Sequence, residues 1–111
     1  MEPLNAKQDY GTRGAYVYTG DVSVALTPAK TRVELQCGAS KTFTVTLPLP
    51  ALMAGEIVSV YLASPASGST ITVASPTGSP AVTTDKLTAA GDNLVFYSDG
   101  IRYICINNVT T

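Results

Sequence analysis

Between Thr31 and Leu47 the chain reads TRVELQC, GASK, TFTVTL, and this strict alternation is what most limits the fold. Val33, Leu35 and Cys37 fall on one side of an extended strand, with Arg32, Glu34 and Gln36 on the other. Phe43, Val45 and Leu47 likewise oppose three threonines. A period of two is incompatible with a helix and describes a half-buried strand. The two runs therefore predict a hairpin with a polar outer face, closed by GASK.

The same signal recurs along the chain. YVYTGDVSVAL predicts two short strands around Thr19, Gly20 and Asp21. EIVSVYL places Ile57, Ser59 and Tyr61 opposite Val58, Val60 and Leu62, and STITVA, a short VTT segment and LVFYSDGIRYICI follow. ASPASGS and SPTGSPA are loops by their Pro, Gly and Ser content. The prolines of PLPALMAG interrupt the sheet, and PALMA is the one place for a turn or two of helix. Strands every 8 to 12 residues or so, separated by Gly and Pro turns, predict an all-β domain, an antiparallel β-sandwich of jelly-roll type or a barrel. No repeat of solenoid period is visible. Residues 1–14 lack periodicity and read as an extended N-terminal arm before a single β-domain over residues 15–111.

Composition matters mainly for what it excludes. With 111 residues the chain is long enough for one core without staples. Its net charge is −1, and Lys7, Arg13, Lys30, Arg32, Lys41, Lys86 and Arg102 are scattered, so no basic surface for nucleic acid is expected. No signal peptide is evident, and no run approaches the ~20 apolar residues of a membrane span, so synthesis in a cytosol is expected. Cys37 and Cys105 are accordingly expected as free, buried thiols.

Candidate chemistry is sparse. The chain has no histidine, which removes the commonest general base and the usual partner of a Ser or Cys nucleophile. Two distant cysteines form no familiar zinc-ligand spacing. Asp21, Asp85, Asp92 and Asp99 sit among turn residues, where Asp serves the backbone. GASKT has the wrong order for a phosphate-binding loop, and Asn108-Val109-Thr110 is a sequon without a secretory signal. Neither an enzyme nor a cofactor or metal site is expected. Tyr16 and Tyr18 share a strand face and are expected to pack, with a sugar-binding platform as the rival reading.

LVFYSDGIRYICI carries the strongest hairpin signal. A two-residue Asp99-Gly100 turn would pair Ser98 with Ile101, Tyr97 with Arg102, Phe96 with Tyr103, Val95 with Ile104 and Leu94 with Cys105. One face then presents Leu94, Phe96, Ile101, Tyr103 and Cys105 to the core. The other presents Val95, Ile104 and Ile106, which are apolar as well, and Arg102 stands near the Tyr97 ring. Val58 and Val60, opposite Ile57 and Tyr61, repeat the excess. Burial between subunits explains both, so Val95, Ile104, Ile106, Val58 and Val60 are the expected homo-oligomer interface.

TFTVTLP, the glycine before the strand of MAGEIVSVYL (Gly55), STITVASPTG and LTAAGDNLVFYSDGIRYICI, taken in that order, resemble small β-rich structural proteins of tailed bacteriophages. These include capsid decoration (cement) proteins, head fibres and tail-fibre modules. The resemblance runs from Lys41 to Ile106; where such proteins usually carry Trp after the SDG turn, this chain has Tyr103. It implies a virion structural protein, a compact and usually trimeric β-domain made in the host cytoplasm, without saying where on the virion it sits. Its partners would be further copies of itself and the major capsid protein, with no nucleic acid or membrane. The short chain favours a decoration protein that stabilises the shell, with Leu4, Lys7, Tyr10 and Arg13 of the arm on the capsid. The alternatives are a phage fibre or receptor-binding module, or a carbohydrate-binding β-domain.

Overall fold

A computed structural model describes residues 15–63, 69–82 and 84–110; the arm, with Leu4, Lys7, Tyr10 and Arg13, lies outside the described residues. The described residues form eight strands: β1 (Ala15–Thr19), β2 (Val24–Ala25), β3 (Arg32–Gln36), β4 (Thr42–Thr46), β5 (Ile57–Leu62), β6 (Thr70–Ala74), β7 (Asn93–Ser98) and β8 (Tyr103–Val109). A 3-10 helix at Pro50–Met53 occupies the PALMA segment, with proline in its first turn, where a missing N–H costs nothing. Of the VTT segment, Val82 and Thr84 are outside any strand and Thr83 is outside the described residues.

The all-β expectation is met, but its antiparallel topology is corrected. The strands form a five-stranded sheet, β1-β3-β5-β7-β8, and a three-stranded sheet, β2-β4-β6, neither closed into a barrel. Through β6 every pairing is parallel. TRVELQC and TFTVTL are therefore not a hairpin. GASK carries the chain from one sheet to the other, and each strand pairs with the one two positions later. Strands that alternate between sheets return to each sheet in the same direction, so coiling of the chain imposes the parallel ladder. Only β5 to β7 and β7 to β8 are antiparallel, which closes the coil. On the smaller sheet Leu87 closes it with a single antiparallel bridge to Ile71.

The coils are unequal. Val33 follows its ladder partner Tyr16 by 17 residues, and Val60 follows Val33 by 27. In the smaller sheet Val45 follows Val24 by 21 residues and Val73 follows Val45 by 28. Unequal connections hide the repeat from the sequence while the strands still stack in register.

One core lies between the sheets. Val33, Leu35, Val58, Val60, Leu62, Leu94 and Phe96 meet Phe43, Val45, Leu47, Ile71, Val73 and Leu87, with Met53 at one end. Fully burying each large aliphatic residue contributes about 1.5–3 kcal/mol, so these inner rows dominate stability. Tyr16 and Tyr18 pack against the first coil, Tyr18 edge-on to Phe43 at 6.0 Å between ring centres. Lys30 Nζ stands 4.1 Å from the centre of the Tyr16 ring.

Candidate interaction surface

The aspartates largely serve the chain's own turns. Asp21 Oδ1 accepts the Gly38 N–H at 2.9 Å, bracing the turn after β3 against the one after β1. Asp92, almost fully buried, accepts the N–H groups of Thr88 and Ala89 at 2.9 and 3.0 Å. Asp99 Oδ1 accepts from Ile101 and Arg102 at 2.8 and 2.9 Å, and these bonds hold its carboxyl below the usual range. Asp85 Oδ2 accepts from Asn108 Nδ2 and Thr110 Oγ1, tying down the end of β8. Carboxylates committed in this way are anchors for loops. Among the described residues no group of three His, Cys, Asp or Glu side chains is placed to hold a metal ion. Both cysteines are free, Cys37 buried and Cys105 half-buried.

The terminal hairpin departs from its expected register. Its loop has four residues, Asp99 to Arg102, and Ser98 pairs with Tyr103, Tyr97 with Ile104 and Phe96 with Cys105. Asp99 N–H donates to the Arg102 carbonyl at 3.2 Å across this loop, and Gly100 has φ +95°. Two carboxylate-to-backbone bonds at Asp99 favour the wider loop over a type I′ turn. A slip of two residues keeps the side chains paired between Phe96–Ser98 and Tyr103–Cys105 on their own faces. Phe96 and Tyr103 still face inward, edge to face with ring centres 6.3 Å apart. Ile101 moves from the expected core face to the exposed loop, and Arg102 into the loop away from the position opposite Tyr97. At Val95/Phe96 a bulge leaves Ile106 between paired neighbours, so Val95 meets Asn107.

Two buried polar groups pin this hairpin to the chain entering β5. Ser98 Oγ donates to the Pro50 carbonyl at 2.8 Å, and Tyr103 Oη to the Pro48 carbonyl at 2.7 Å. Burial pushes the Tyr103 phenol up to about 12. Both acceptors precede or begin the 3-10 helix, so these bonds also settle where that helix sits.

The outer faces differ. On the smaller sheet, Thr42 stacks on Thr70, Thr44 on Thr72 and Thr46 on Ala74. Lys86 Nζ donates to Thr72 Oγ1 at 3.1 Å. On the larger sheet one outer row runs Val17, Glu34, Tyr61, Asn93, Val109, and the next runs Ala15, Arg32, Ser59, Val95, Asn107. The third row, Ile57, Tyr97, Ile104, has no charge in it.

Of the expected interface residues, Ile104 and Ile106 are exposed and Val95 is half-buried on this outer surface. Val58 and Val60 are 0% exposed and belong to the subunit's own core, which corrects their place in an interface. The outward members of β5 are Ile57, Ser59 and Tyr61. The signal for this was present: a face carrying Ser and Tyr opposite one carrying Val, Val and Leu is the wetter of the two. Tyr97, expected beside Arg102, instead completes the row between Ile57 and Ile104. Compared with protein-family models, curated proteins and solved structures, the chain matches none.

Proposed function

We propose that this chain is a virion structural protein of a tailed bacteriophage, a sandwich-like, coiled β-module that decorates and stabilises the assembled capsid shell as a homotrimer. The observation that carries this reading is the apolar part of the outer face, around Ile57, Tyr97 and Ile104, which the subunit's own core does not use. Surfaces of this kind on rigid β-domains mark protein contacts. The resemblance of TFTVTLP and LVFYSDGIRYICI to phage structural proteins supplies the setting, with the major capsid protein as partner. Stabilisation then comes from area buried on neighbouring capsid subunits.

The test compares capsids with and without the protein under heating and osmotic shock. Higher rupture temperature and many copies per shell are expected. Equal survival of undecorated shells sinks the stabilising role.

A fibre module is the second reading, and one observation favours it. Among the described residues, β1 and β2 have no strand on their outer edges, whereas the opposite end of the coil carries the β7–β8 hairpin and the Leu87 bridge. A module capped at one end and open at the other suits the tip of a longer stack. Gold-labelled antibody bound only at fibre tips would establish this reading in place of decoration.

A further inference from the structure

The exposed apolar side chains of the larger sheet continue around one end of the molecule. Gly55 N–H donates to the Ser98 carbonyl at 2.8 Å, and Ser98 N–H to the Glu56 carbonyl at 3.1 Å. A Cβ built on Gly100 would stand 3.3 Å from the Ala54 Cβ. These contacts bring the segment after the 3-10 helix against the hairpin loop. Ile101, 64% exposed in that loop, therefore stands at the end of the row formed by Ile57, Tyr97 and Ile104, with Ile106 beyond, and Leu52, 63% exposed, belongs to the adjoining 3-10 helix.

Six such residues, each between about a third and two thirds exposed, offer on the order of 600 Å² of surface, the upper end for the largest apolar patch on a monomer. An interface is little more than half apolar and takes about 800 Å² from each partner. The patch with a polar rim therefore matches one standard interface. Its rim carries Glu56 beside Ile57, with Asp99 and Arg102 in the loop that holds Ile101, all three exposed. A strongly acidic or basic partner would be met by one sign of charge. Carboxylates and a guanidinium on the same rim supply both signs of charge, as copies of one face need to meet around a symmetry axis.

We propose that this corner, Leu52, Ile57, Tyr97, Ile101, Ile104 and Ile106, is the contact through which a second copy of this chain binds. The inference rests on the homo-oligomeric part of the proposed function and names its surface. It moves the interface from the inner valines of β5 to its outward residues and adds the 3-10 helix and hairpin loop.

Sedimentation equilibrium of the full chain tests it, with Leu52→Asp and Ile104→Asp as patch variants and Val17→Asp as the control. Val17 is 55% exposed on the same outer face at the far edge strand. The unmodified chain is expected to be an oligomer, and each patch variant to weaken association about 100-fold or more, because an unpaired carboxylate is buried in the contact. Val17→Asp should leave it unchanged. Circular dichroism and melting of each variant show that the exposed positions leave the fold intact. A monomeric unmodified chain at about 100 µM, or dissociation by Val17→Asp alone, overturns the proposal. A monomer that still coats capsids overturns only this contact, and an oligomer that ignores capsids overturns only the decoration reading.

Discussion

The two sheets are built by the same alternation yet present opposite outer surfaces. On the smaller sheet, Thr42, Thr44 and Thr46 stack on Thr70, Thr72 and Ala74. Threonine suits a solvated strand because its branched carbon favours extended backbone and its hydroxyl meets water. On β5, β7 and β8 the outward positions include Ile57, Tyr97 and Ile104. Inside, the sheets are equivalent, lined by aliphatic residues at or near zero exposure. The difference is therefore no requirement of folding. What the core demands is apolar inner rows; an apolar outer row answers to something beyond the core.

The largest expected effect contrasts neighbouring positions on β5. Val60→Asp buries a carboxylate in a 0%-exposed site and should cost more than about 4 kcal/mol, which unfolds most domains of this size. Ile57→Asp, at a 51%-exposed site, should change subunit stability by about 0.5 kcal/mol or less. Urea unfolding followed by circular dichroism, below the concentration of association, measures both. Equal damage from the two would erase the distinction between inner and outer rows.

Next is the pinning of the hairpin. Ser98→Ala leaves the buried Pro50 carbonyl without its donor and should cost about 1–3 kcal/mol in the same assay. A neutral result would mean that packing alone holds the corner on which Leu52 and Ile101 sit.

Tyr103→Phe should cost about 1–2 kcal/mol near pH 8, through the lost bond to the Pro48 carbonyl. Burial raises the phenol from 10.0 to about 12, so the folded state holds this proton more tightly than the unfolded chain. The contribution is full below pH 10 and is lost as pH rises to about 12. Melting of both proteins across that interval should show their difference narrowing; a constant gap would mean that Tyr103 ionises freely in the fold.

The smallest effect belongs to the threonine face. Thr44→Val and Thr72→Val together should change the unfolding free energy measured in urea by no more than about 0.5 kcal/mol and leave association untouched. A dissociated oligomer would transfer the subunit contact from the apolar face to this one.

Much of this was legible locally. Val33, Leu35, Phe43, Val45, Phe96 and Tyr103 are inward as their alternation predicts, and Asp21, Asp92 and Asp99 hold turns. For β5 alternation separates the two faces without saying which is outward, because aliphatic valines on a two-faced strand fit a core and an interface equally well. The loop of the last hairpin is two residues longer than its Asp-Gly pair predicts, since that pair suits a tight turn whereas Asp99 binds both Ile101 and Arg102 in the wider loop.

Alternation along the chain by itself determined which segments extend and which residues share a face, because side-chain direction in a strand is set by adjacent backbone dihedrals. Only the tertiary structure decided which strand lies beside which. TRVELQC and TFTVTL alternate identically whether they turn back on each other or pass into opposite sheets. The choice rests on contacts between residues 17 to 28 positions apart, through connections of unequal length. Pairing is a property of the assembled core, and so is the outer corner that it leaves uncovered.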